Sequence, residues 1–166
     1  MANLLELTPA PATGVRATTR SKPGYLEIDL DVTPEAVPII RAIVRAHLQL
    51  WGLAGLIGDA TLAVTELLTN VLNHTRPVAS TGTRIARLTI TRLTGVLSVC
   101  VRDFDPAMPK PSNGAVDAEH GRGLHLTRAF AADCGYSEFI GGKDVWANFL
   151  IRSEEAIDGA QTRRTS

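Results

Sequence analysis

The chain has 166 residues, 45% hydrophobic and 20% charged, which suffices for one ordinary core and excludes a disordered or collagen-like chain. Its 17 Lys and Arg balance 17 Asp and Glu, so it lacks the basic surplus on which non-specific nucleic-acid or anionic-membrane binding draws. Arg41, Arg45, His47, Glu66 and Asn70 interrupt the most apolar stretches, which argues against a membrane span. The first eight residues lack the pattern of a secretion signal. A cytoplasmic protein, with neither nucleic acid nor membrane as partner, is the expectation.

Residues 1–22 are rich in Ala, Thr and Pro without a sustained period, and the expectation is a flexible N-terminal tail, a folded domain over 23–152, and a C-terminal tail over 153–166. Leu26, Ile28, Leu30 and Val32 alternate with Glu27, Asp29 and Asp31, predicting a half-buried strand. Thr33-Pro34-Glu35 is a helix start, and Val37, Ile40, Ile43, Val44 and Leu48 follow at helical spacing to about Trp51. Gly52, Gly55 and Gly58 break that pattern, and a second helix is expected over 59–74 with Ala60, Ala63, Val64, Leu67 and Val71 as its apolar stripe. Two strands, 85–93 and 96–103, should form an antiparallel hairpin around Thr94-Gly95.

The stretch 104–120, with Pro106, Pro109, Pro111 and Gly114, is long enough to be a candidate lid. A short helix should open at Gly121-Arg122-Gly123-Leu124 and run through Cys134, with Gly135 just past its end. A last hairpin, 136–140 and 144–151, would turn at Gly141-Gly142. This order predicts an α/β (α+β) two-layer sandwich, a mixed but mostly antiparallel sheet with helices on one face. Cys100 and Cys134 lie outside any C-x-x-C pattern and are expected to be buried free thiols. His120 and His125 have no third ligand at zinc spacing, and Trp51 and Trp146 fit packing roles.

On the second helix Glu66, Asn70 and Asn73 share a narrow arc, with His74 at its edge. That arc lies to one side of the apolar stripe, where a pocket wall would be. A carboxylate there can act as general base and an amide oxygen can complete a magnesium shell. Taken alone, the helix is better accounted for by ordinary surface polarity. Asp103 ends a strand on the face of Leu97, Val99 and Val101, a position from which a buried acceptor can take the exocyclic amine of adenine, or simply begin a turn. Gly121-x-Gly123 ahead of a helix can offer bare backbone N–H groups to phosphate, with Arg122 adding charge. The spacing fits neither a Walker A loop nor a dinucleotide fingerprint.

Taken in order, Glu66-x-x-x-Asn70-x-x-x-His74, then Asp103, then a loop, then Gly121-Arg122-Gly123-Leu124 resemble the N box and glycine boxes of the GHKL (Bergerat-fold) ATPase superfamily over about residues 23–152. Gly142-Lys143-x-Val145-Trp146-Ala147 resembles the small stand-alone branch of bacterial anti-sigma-factor serine/threonine kinases. The resemblance implies ATP and Mg2+ as cofactors, with Glu66 polarising the attacking hydroxyl or water, Asn70 on the metal and Asp103 on adenine. Asn73 and His74 would line the site, and Gly121, Arg122, Gly123 and Leu124 would frame the phosphates. It implies partner switching with a sigma factor or its anti-anti-sigma antagonist, and it makes a homodimer, common among such proteins, one candidate assembly.

One departure stands out: Asp103-Phe104-Asp105 replaces the usual Asp-x-Gly. The backbone freedom of that glycine is lost, and an inward carboxylate would repel phosphates. A nucleotide-sensing module that sequesters a protein partner without transfer chemistry is therefore the alternative to a kinase. A purely structural α+β domain would require the three motifs to coincide by accident.

Overall fold

The computed structural model describes residues 14–105 and 129–152. Alternating side chains build its sheet: on β2 (Tyr25–Val32), Leu26, Ile28, Leu30 and Val32 are buried. Their opposites Tyr25, Glu27, Asp29 and Asp31 are half-buried on the other face. The same period runs through β3 (Arg84–Leu93), where Ala86, Leu88 and Ile90 are buried, and β4 (Val96–Asp103), where Leu97, Val99, Val101 and Asp103 are. Gly95 takes φ +72 in the β3–β4 turn, which places the two strands in the expected antiparallel register.

Two helices cover that apolar face. In α1 (Ala36–Leu50), Ala36, Ile40, Val44 and Leu48 are buried, one residue per turn. The Thr33 hydroxyl accepts the Ala36 N–H at 3.2 Å, so the predicted threonine does satisfy an N-terminal donor. A 3-10 turn, Ala54–Leu56, leads into α2 (Ile57–His74), which buries Ala60, Ala63, Val64, Leu67, Leu68 and Val71 and begins two residues earlier than expected. The stretch Ala54–His74, mean hydropathy 1.2, is apolar and long enough to cross a membrane by composition alone. Its apolar side chains are here the core between the two layers.

Among the described residues the strand order is β1 (Ala17–Lys22), β2, β3, β4, β6 (Gly142–Leu150), β5 (Asp133–Phe139), and all five pairings are antiparallel, where a mixed but mostly antiparallel sheet had been expected. Two elements differ from the sequence reading. Residues Ala17–Lys22, assigned to the tail, form edge strand β1 against β2, where Arg20 donates to Glu27 and Asp29 at 2.8 and 3.1 Å. The helix expected to reach Cys134 has ended sooner: Ala129 and Phe130 are helical, the Ala132 N–H already bonds the Asn148 carbonyl, and β5 (Asp133–Phe139) follows.

Gly135 is thus a strand residue opposite Trp146 on β6 (Gly142–Leu150), not a helix terminator. A Cβ there would stand 2.7 Å from the Trp146 ring, so the glycine makes room for the indole on the face away from the helices. Trp51, in contrast, packs against the core. The thiols are free and half-buried, less enclosed than expected. Burial pushes the Cys100 thiol up to about 11, which leaves it protonated and unreactive at neutral pH. Among the described residues, bidentate pairs Arg87–Asp29 and Arg102–Asp144 lace the outer sheet face.

Candidate functional site

The C-terminal end of α2 and the C-terminal end of β4 meet, and specific bonds hold them there. The Thr75 hydroxyl donates to the Val71 carbonyl at 2.6 Å and the Arg84 guanidinium donates to the Thr75 carbonyl at 3.0 Å, so the helix end is pinned to the start of β3. The Arg76 N–H donates to the Asp105 carboxylate at 3.1 Å, which fastens the same segment to the residue two beyond Asp103. Asp105 is therefore engaged in joining the two chain segments that flank the site. Thr75, Arg76 and Arg84 were not singled out from sequence, because these bonds depend on residues brought together only by the sheet.

Asp103 is 4% exposed, on the helix-facing side of the sheet, as the alternation required. Burial holds its carboxyl above the ordinary carboxylate range, against the opposing pull of the Lys143 charge and of the Asp105 and Lys143 backbone N–H groups. Its oxygens meet the Asp105 N–H at 3.4 Å, the Lys143 backbone N–H and the Lys143 ammonium at 3.8 Å. A near-buried carboxylate whose contacts to Asp105 and to the Lys143 ammonium are this long is suited to accept a further donor from a ligand.

Glu66 and Asn70 are half-buried on α2, one turn apart, beside the buried stripe of Ala63, Leu67 and Val71. Asn73 and His74, in the last turn, are exposed. The structure thus sets a carboxylate and an amide on the helix wall and a buried carboxylate at the sheet end beside that helix's terminus. This donor set fits the base and metal portion of a magnesium nucleotide. Gly121, Arg122, Gly123 and Leu124, as well as most of the 104–120 stretch, lie outside the described residues.

The elevated proton affinity of Asp103 has a testable sign. Because the folded state binds this proton more tightly than the unfolded chain, Asp103 ionises at a cost to folding as pH rises above the ordinary carboxylate range. Asp103→Asn removes that cost, so the melting temperature of the variant relative to wild type should climb from pH 4 to pH 7 in the absence of nucleotide. A difference that stays flat or falls over this range would show that the carboxylate carries no burial penalty.

Residues 30–149 match the family model of the histidine kinase-like ATPase domain. The chain belongs to that family, and with it to the GHKL superfamily, whose two-layer architecture the helices and antiparallel sheet reproduce. Among solved structures it is similar to the histidine kinase domain of the blue-light activated histidine kinase from Erythrobacter litoralis EL346. That match has 14% identity and a TM-score of 0.47 over 77% of this chain and 64% of the other. No curated protein matches.

Proposed function

We propose that this chain binds Mg-ATP between α2 and the end of β4 and acts as a serine/threonine protein kinase of the anti-sigma type, a cytoplasmic regulator of transcription by partner switching. The observation that carries the nucleotide reading is Asp103, a buried carboxylate at the strand end fixed beside the end of the helix that bears Glu66 and Asn70. The anti-sigma assignment, with a sigma factor or its antagonist as partner, rests on the resemblance of the 142–147 motif.

In this reading Asp103 accepts the exocyclic amine of adenine and the Asn70 side-chain oxygen would hold the magnesium, which would neutralise phosphate charge when bound. Glu66 takes the proton of the attacking serine or threonine hydroxyl. Phosphoryl transfer depends mainly on positioning and charge neutralisation, so no covalent nucleophile is needed. Asp105 is committed to the Arg76 N–H, which lessens the phosphate repulsion that its replacement of glycine suggested.

The test is thermal unfolding with and without Mg-ATP. Ligand at ~100 times its dissociation constant adds about 2.7 kcal/mol, or roughly 5 to 10 °C for a chain of this length. Wild type should show a magnesium-dependent rise of that size, and Asn70→Ala should lose it. No rise at millimolar Mg-ATP in wild type would reject the nucleotide site.

A further inference from the structure

Lys143 follows the β5–β6 turn, and its register partner is Asp103. Both residues alternate onto the helix-facing side of the sheet, with Ala147 and Phe149 further along the same row of β6. The lysine side chain is 34% exposed and the Asp103 side chain 5%, so the ammonium stands at the rim of the position whose floor is the carboxylate. The Nζ–Oδ2 separation of 3.8 Å is within ion-pair range but too long for a hydrogen bond. The lysine therefore places its charge beside Asp103 while its N–H donors are not consumed by it.

A donor fixed next to an acceptor is the complement of a heterocycle edge that presents an acceptor beside a donor. Adenine has that edge in N1 and the adjoining exocyclic amine. We propose that Lys143 is a specificity-determining residue that donates to N1 of the purine while Asp103 accepts from the amine, so that the base is read by the pair. The inference rests on the nucleotide reading above and extends it to a residue on another strand. A lysine serving only to neutralise Asp103 would support every nucleotide equally, which separates the two roles.

The experiment is calorimetric titration of wild type and Lys143→Met with Mg-ATP and with Mg-1-deaza-ATP, which lacks the N1 acceptor. A hydrogen bond from a charged donor corresponds to roughly 10- to 100-fold in affinity. Wild type should prefer ATP over the deaza analogue by about that factor, and Lys143→Met should erase the preference, leaving the two ligands within about twofold of each other. Equal weakening of both ligands by the substitution, or a preference that survives it, overturns the base-reading role. Binding of neither ligand by wild type overturns the nucleotide reading itself, and the melting curve of unliganded Lys143→Met confirms that the variant being titrated is folded.

Discussion

Gly142→Ala is expected to destabilise the protein by ~3 kcal/mol, lowering the melting temperature by about 10 °C. The added Cβ would stand 2.1 Å from the Asp103 carbonyl oxygen and 3.0 Å from its carbonyl carbon. Both are backbone atoms of a central strand, held by β3 on one side and β6 on the other, and no rotamer change can move them away. The neighbouring glycine provides the contrast. Gly141 has φ +95 and open space around its Cβ position, so Gly141→Ala meets only the conformational penalty of an L-residue there, about 1 to 2 kcal/mol.

The two substitutions should also separate in function. Moving the strand end at Gly142 displaces Asp103, so Gly142→Ala should lose the thermal response to Mg-ATP even at temperatures where it remains folded, whereas Gly141→Ala should retain it. A Gly142→Ala protein that melts within about 2 °C of wild type, less than ~1 kcal/mol by the same scaling, would mean that β4 and β6 part easily at the site.

How far such features can be read in advance depends on whether their cause is local. The alternation that buries Leu97, Val99 and Val101 also buries Asp103, and the spacing that buries Ala63, Val64, Leu67 and Val71 leaves Glu66 and Asn70 at the edge of the core. These placements follow from period alone. Strand β1 was invisible because its inward residues are Ala17, Thr19 and Ser21, too small and polar to mark an apolar face, and its pairing depends on β2. The true role of Gly135 depends on the Trp146 ring across the sheet. Lys143 was legible only as part of a motif, since its position beside Asp103 is set by the register of β4 against β6. Asp105 shows the limit most clearly: as a substituted glycine it implied repulsion, and only its bond to the Arg76 N–H shows what occupies the carboxylate.

Glu66→Ala is expected to slow phosphoryl transfer by about 10²- to 10⁴-fold, a barrier increase of roughly 3 to 5 kcal/mol, with Mg-ATP binding held within a few-fold. Glu66 is half-buried on the helix wall beside Leu67, where a carboxylate can receive a proton without being fully exposed to bulk water. It is one turn from Asn70, so removing its carboxylate need not disturb the amide assigned to the metal. Transfer of label from γ-labelled ATP to a protein serine or threonine, together with its release to water, measures the chemistry, and the thermal response to Mg-ATP measures binding in the same preparations. Loss of transfer with retained binding identifies Glu66 as the base. Equal loss of both would instead assign Glu66 to holding the nucleotide. If wild type binds Mg-ATP but transfers label to neither a protein acceptor nor water faster than Glu66→Ala, the carboxylate has no catalytic task. The protein is then a nucleotide-dependent switch, for which the Asp103-Phe104-Asp105 segment, tied through Asp105 to the end of α2, is the element by which an occupied base site would communicate with the helix.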